Sequence, residues 1–169
     1  MKTALVIIDM QRSLFEEGPW NADVLLERIS RLIDSARQAK APIVFVRDRR
    51  VKPDARLHPM LEANSSDIHI QKNYCDTFLD TCLDVELKAK SIERLVVAGL
   101  QTDYCIDTTC RRAASLGYTV LLVSDGHSTY DHEHLKAEQI VAHHNQVLRS
   151  FPAGAGSVSV IESDRVNFA

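Results

Sequence analysis

Three residues of this 169-residue chain combine reactive side chains with positions at or just beyond the ends of apolar runs. Asp9 closes the run Ala4-Leu5-Val6-Ile7-Ile8. Lys72 comes soon after Ile68-His69-Ile70, and Cys105 follows Leu95-Val96-Val97-Ala98 by way of Gly99. Taken singly, each has an ordinary structural explanation. An aspartate at a strand end is often a turn residue, a lysine is usually a solvated charge, and a cysteine is most often a small buried hydrophobe. The segment Gly99-Leu100-Gln101-Thr102-Asp103-Tyr104-Cys105 is more pointed. It reads as strand, glycine-led turn and helix start, with the thiol in the first helical turn. Unsatisfied N–H groups and the positive end of the helix dipole favour an anion there. That position, with Lys72 nearby, is expected to depress the thiol pKa. The same N–H groups can receive a developing oxyanion, and Asp9 can exchange the proton with thiol and leaving group. Together these are the parts needed for acyl transfer.

The elements that must position these groups follow from hydrophobic patterning. Continuous β-prone runs at 4–8, 43–46, 95–98 and 119–123 read as strands, the first as one buried on both faces. Short strands are expected at 68–70 and 158–161. Between them, Leu25, Ile29, Leu32, Ile33 and Ala36 recur at helical spacing behind Asn21 as a cap. Helices are also expected over 78–89, over 106–116 closed by Gly117, and over 135–148 with an apolar stripe of Ala137, Ile140, Val141, Val147 and Leu148. The polar stretch 47–67, with Pro53 and Pro59, reads as a long functional loop. Alternating strands and helices predict an α/β fold: a three-layer, doubly wound, mostly parallel sheet of six strands with helices on both faces, in a single domain over residues 1–169. In such sheets ligands bind beyond the carboxyl ends of the strands at the switch point, which is where Asp9, Lys72 and Cys105 are expected.

Composition narrows the function classes. Hydrophobic residues at 45% and charged residues at 25% are globular values. A net charge of -3 gives no electrostatic case for nucleic acid or an anionic membrane as partner. No apolar run reaches the roughly 18 residues of a membrane span, and Met1 to Asp9 is too short for a secretory signal. A cytoplasmic location is therefore expected. Cys75, Cys82, Cys105 and Cys110 include no C-x-x-C, so zinc-ribbon and thioredoxin-like readings lack support.

From about Thr3 to Ile161 the chain resembles the isochorismatase-like cysteine hydrolases, a family that includes nicotinamidases and streptothricin hydrolase. The resemblance rests on Ile7-Ile8-Asp9-Met10-Gln11, the stretch from Lys72 to Phe78, Val97-Ala98-Gly99 through Cys105, and Thr108-Thr109-Cys110-Arg111-Arg112-Ala113. Val123-Ser124-Asp125 and His143-His144-Asn145 add to it. It implies a catalytic triad of Asp9, Lys72 and Cys105, and a non-proline cis peptide at Leu100-Gln101. The N–H groups of Gln101 and Cys105 would then form the oxyanion hole. It also implies a six-stranded, mostly parallel sheet and a homo-oligomer.

Two departures bear on the reaction. Nicotinamidases of this family carry Asp-x-His and a further histidine as metal ligands. Here Asp48 is followed by Arg49 and Arg50, leaving only His58 and His69. No metal and no cofactor are expected, and nicotinamidase activity is disfavoured. A metal at His132, His134, His143 and His144 is disfavoured too, because His143 and His144 face different sides of one helix; His144 is expected to be hydrogen-bonded and half buried. Ser65-Ser66 stands where relatives often have a Pro-Gly turn. Retention of Cys105 favours covalent C–N hydrolysis of a small amide or lactam over vinyl-ether hydrolysis of the isochorismatase type. An inactive ligand-binding oligomer is the remaining alternative. Adjacency to the triad in sequence makes Leu14, Phe15, Tyr74, Phe78 and Tyr104 candidate pocket residues. Arg47, Arg49 and Arg50 are read as a solvated loop, and Cys75 and Cys110 as thiols near the site without a catalytic role.

Overall fold

The computed structural model describes residues 1–169. In chain order its elements are β1 (Thr3–Ile8), α1 (Arg12–Glu16), α2 (Ala22–Gln38), β2 (Ile43–Asp48), β3 (Ile68–Lys72) and α3 (Leu83–Ala89). Then come β4 (Arg94–Leu100), a π-helical turn (Thr102–Ile106), α4 (Asp107–Ser115), β5 (Thr119–Ser128), α5 (Ala137–Leu148), β6 (Ser150–Ala153) and β7 (Gly156–Ile161). They build one sheet of order β3-β2-β1-β4-β5-β7-β6, parallel except for the β6–β7 pair. The architecture is the expected α/β one, with seven strands rather than six. The extra strand contains Pro152, which reads in sequence as a strand breaker. At the sheet edge its missing N–H costs no ladder bond.

The apolar run of β1 is explained by burial on both faces. Ala4, Val6 and Ile8 join a cluster with Leu83 and Leu87 of α3 and Cys110, Ala113 and Ala114 of α4. Leu5 and Ile7 join a second cluster with Leu25, Ile29, Leu32 and Ile33 of α2. Strand period two thus delivers alternate residues to opposite layers. No helix is long and apolar enough to cross a membrane.

Some local expectations shift. The third helix starts at Leu83 rather than Phe78, and the short α1 is additional. Asn21 takes a left-handed conformation, φ 52°, and makes no side-chain cap. Val147 lies outside the buried stripe of α5. Gly99 does not end β4, which continues to Leu100.

The chain runs from β1 out to β2 and β3, then returns to lay β4 against the other side of β1. The crossovers reverse direction there, so a crevice opens beyond the carboxyl ends of β1 and β4.

Candidate active site

Asp9 is the first residue past β1 and adopts φ 53°, a conformation uncommon for a residue with a side chain. Its N–H donates to Val46 O at 3.0 Å, and its own carbonyl accepts from Gln11 N at 2.8 Å. Beside it, Gly99 has φ 126°, and a Cβ there would lie 2.1 Å from Ile8 O. Only glycine lets β4 approach the end of β1 this closely. The Leu100–Gln101 peptide is cis. The carbonyl of Gln101 accepts from Tyr104 N at 3.2 Å and Ile106 N at 3.0 Å, which shapes the π turn carrying Cys105. The thiol therefore sits in a π turn that feeds α4, not in an ordinary first α turn.

Lys72, the last residue of β3, is fully buried, and its ammonium is the hub of the cluster. Nζ lies 2.7 Å from Asp9 Oδ2 and donates to Asp48 Oδ2 at 3.2 Å and to Cys105 Sγ at 3.1 Å. Burial works to lower its pKa, but Asp9 and Cys105 outweigh burial and the net shift is upward, so it stays charged. Burial raises the Asp9 pKa against the pull of Lys72. Burial, followed by the Asp9 carboxylate, raises that of Cys105. This reverses the depressed thiol pKa expected from helix position alone. The physical picture is a pair that keeps one proton at neutral pH: losing it would set two anions beside one ammonium. Asp9 Oδ1 is buried and has no hydrogen-bond partner, an unused acceptor inside the cluster.

Asp48 is held by its surroundings. Gln11, fully buried, accepts from Asp48 N at 2.8 Å and donates to Asp48 O at 3.0 Å and Ala55 O at 2.9 Å. The Arg50 Nε lies 3.0 and 3.1 Å from the two Asp48 carboxylate oxygens. Burial pushes the Asp48 pKa up, but Arg50 and then Lys72 prevail and hold it at about 2.

The donor set does not suit a metal ion. A carboxylate oxygen from each of Asp9 and Asp48 and the Cys105 sulfur lie within 4.8 Å of one another. The ammonium of Lys72 contacts all three residues, and Arg50 engages both Asp48 oxygens. His58 packs on Phe15 and His69 on Phe45. At α5, the His144 Nδ1 bonds Ile140 O at 2.8 Å, matching its half-buried assignment.

A cavity of about 320 Å³ opens on the cluster, bounded by Asp9, Asp48, Arg50, Gln101 and Cys105. Leu14, Val51, Cys75, Tyr104 and His132 complete its wall. Of the five pocket candidates, Leu14 and Tyr104 are on this wall. Phe15 instead packs against His58, Tyr74 is exposed, and Phe78 is core, stacked on Tyr118 with centroids 5.9 Å apart. The structure does not bring these three to the cavity wall: Phe15 lies in α1, Phe78 packs into the core and Tyr74 faces solvent, so nearness in sequence is not nearness to the cavity. Arg50, Val51, Cys75 and His132 were not placed in the pocket by the sequence. For Arg50 the Asp48-Arg49-Arg50 spacing was the available signal.

Behind the π turn lies a second polar chain that no motif announces. The Thr102 Oγ1 is 2.8 Å from His127 Nδ1, His127 Nε2 is 2.9 Å from Asn145 Oδ1, and Asn145 Nδ2 donates to Ser124 O at 3.0 Å. Burial drives the His127 pKa down to about 4, so the imidazole is neutral at physiological pH. This chain ties the turn to β5 and α5.

Residues 3–148 match the family model described as the isochorismatase domain. The chain is 30% identical to YecD, an uncharacterized isochorismatase family protein of Escherichia coli O157:H7, over 95% of this chain and 93% of that one. It is 31% identical to a streptothricin hydrolase of Streptomyces noursei, over 76% of this chain and 50% of that protein. Among solved structures, an isochorismatase from Pseudomonas putida KT2440 superposes with a TM-score of 0.88 at 26% identity, over 97% of this chain and 89% of that one.

Proposed function

The chain belongs to the isochorismatase family, and from that premise we propose that it is a cysteine hydrolase cleaving a C–N bond of a small amide or lactam through a thioester. The observation that carries this reading is the buried Lys72 ammonium in contact with both Asp9 and Cys105, with Asp9 Oδ1 left unpaired beside them. The similarity to a streptothricin hydrolase supports the substrate class.

The residues divide the work as follows. The Cys105 thiol passes its proton to Asp9 as sulfur attacks the carbonyl carbon. The N–H groups of Gln101 and Cys105 are the candidate donors to the oxyanion. The C–N bond breaks as Asp9 returns the proton to the departing nitrogen. Water then gives a proton to Asp9 and attacks the thioester, the C–S bond breaks, and the sulfur recovers the proton. Lys72 remains charged throughout and stabilises each transient anion. Asp48 and Arg50 offset one another, so the added pair leaves the charge balance around Lys72 unchanged. The raised Asp9 pKa also suits a proton donor for vinyl-ether hydrolysis, in which the thiol would be incidental.

Rapid-quench mass spectrometry with a panel of small amides separates these readings. An acyl mass on Cys105 that forms and decays with turnover is expected. Turnover of an enol ether without any adduct would replace the amidase reading. A folded protein inert to both substrate classes would favour the ligand-binding alternative.

A further inference from the structure

The catalytic cavity shares part of its wall with a second pocket of about 500 Å³ lined by Tyr104, His132, Glu133, His134 and Leu135. Tyr104 and His132 belong to both. We propose that Tyr104, His132 and Leu135 form a leaving-group subsite, which takes the flat aromatic amine half of an amide whose acyl half is small. This rests on the amide-hydrolase reading and names its substrate class.

The wall is built rather than incidental. His132 Nε2 lies 3.1 Å from Asp103 Oδ2, and Asp103 Oδ1 accepts from Thr129 Oγ1 at 2.7 Å. The imidazole is thereby anchored to the π turn and to the end of β5. Its ring and that of Tyr104 stand 6.2 Å apart and inclined at 51°, a tilted pair that forms one aromatic wall. The His132 N–H donates to Leu135 O at 2.8 Å, which curls the loop so that Leu135 borders the same pocket. Tyr104 and Leu135 are each 49% exposed, apolar surface presented to solvent beside a reactive centre. A further aromatic ring meeting that wall in offset or edge-on geometry is the chemistry it recognises.

The order of bond breaking decides which half of the substrate lies outside. The acyl half stays on Cys105 while the amine leaves and water replaces it. An acyl half filling the mouth would trap the amine behind the thioester and bar the water. The departing half therefore belongs on the solvent side. At about 320 Å³ the inner cavity is near the lower end of ligand pockets, which limits the acyl half to a small group.

Para-nitroacetanilide and acetamide share an acyl group and differ in the amine. The ratio of their kcat/KM values should fall about three- to tenfold in Leu135→Ala and in Tyr104→Ala, the change residing in KM for the anilide, as expected for loss of one ring contact. An unchanged ratio overturns the subsite. Benzamide carries its ring on the acyl side; sensitivity of benzamide rather than the anilide to these variants would overturn the orientation. If wild-type protein hydrolyses none of them, the amide reading fails separately. Calorimetric binding of acetanilide then decides: weaker binding in Leu135→Ala supports the subsite, and equal or absent binding overturns it.

Discussion

Two buried polar clusters flank the same π turn and differ in how their atoms are satisfied. In the Thr102–His127–Asn145 chain, both imidazole nitrogens have a partner, and Asn145 continues to a backbone carbonyl. In the Asp9–Lys72–Cys105 cluster a buried carboxylate oxygen has none, and Asp9 itself holds an uncommon backbone conformation. A satisfied cluster rigidifies its surroundings. One that retains an unpaired acceptor beside a thiol carries a cost that stability does not explain, and such costs gather where chemistry is done. The first cluster positions the turn, and the second is the one we propose uses it for chemistry.

Asp9→Asn should separate the clusters most widely. It keeps the shape but removes the proton acceptor, so turnover should fall at least about 10²–10⁴-fold. Steady-state hydrolysis with the amide found by the panel is the readout. Retention of near-normal activity would remove Asp9 from the proposed chemistry.

Gly99→Ala tests the backbone contact that brings the cluster together. A Cβ at 2.1 Å from Ile8 O cannot be accommodated without moving β1 from β4. Added to the strain of a side chain at φ 126°, overpacking predicts a loss of about 3 kcal/mol or more, together with loss of activity. Urea denaturation measures it, and a change below 1 kcal/mol would show that the strands can yield there.

The positioning cluster should reveal itself through pH. His127 titrates near 6.5 when unfolded but near 4 when folded. Its neutral form is thus favoured by the fold, so stability is full above pH 6.5 and declines as pH falls towards 4, by up to about 3 kcal/mol. Denaturation midpoints that stay flat between pH 7 and 4.5 would contradict this. Asn145→Ala should have the smallest effect, about 1–2 kcal/mol of stability for an imidazole nitrogen left unpaired. Its turnover should drop less than that of Asp9→Asn, and an equal drop would erase the functional distinction between the clusters.

The sequence disclosed these two regions unequally. Asp9 and Cys105 follow long apolar strands, and Lys72 closes a short one, so the rule for open α/β sheets puts all three on one rim. Most of the sheet was legible for the same reason. His127 was not, because its partners Thr102 and Asn145 lie on other elements and no spacing links them. Nor was the upward pKa shift of Cys105. Position at a helix start argued for a depressed value, whereas burial and the Asp9 carboxylate, both tertiary facts, prevail. Arg50 could be counted as a missing metal ligand, but its grip on Asp48 required the fold of the loop.

The central claim is that Asp9 and Cys105 share one proton beside a permanently charged Lys72. Iodoacetamide labelling of Cys105 across pH, followed by mass spectrometry in wild-type and Asp9→Asn protein, tests it directly. Removing the carboxylate leaves the thiol facing the ammonium without Asp9 competing for it, Asp48 being held by Arg50. The variant should therefore label faster at neutral pH, its profile moved to lower pH, even as hydrolysis stops. Slower or unchanged labelling of Cys105 in Asp9→Asn would contradict the shared proton and the mechanism built on it.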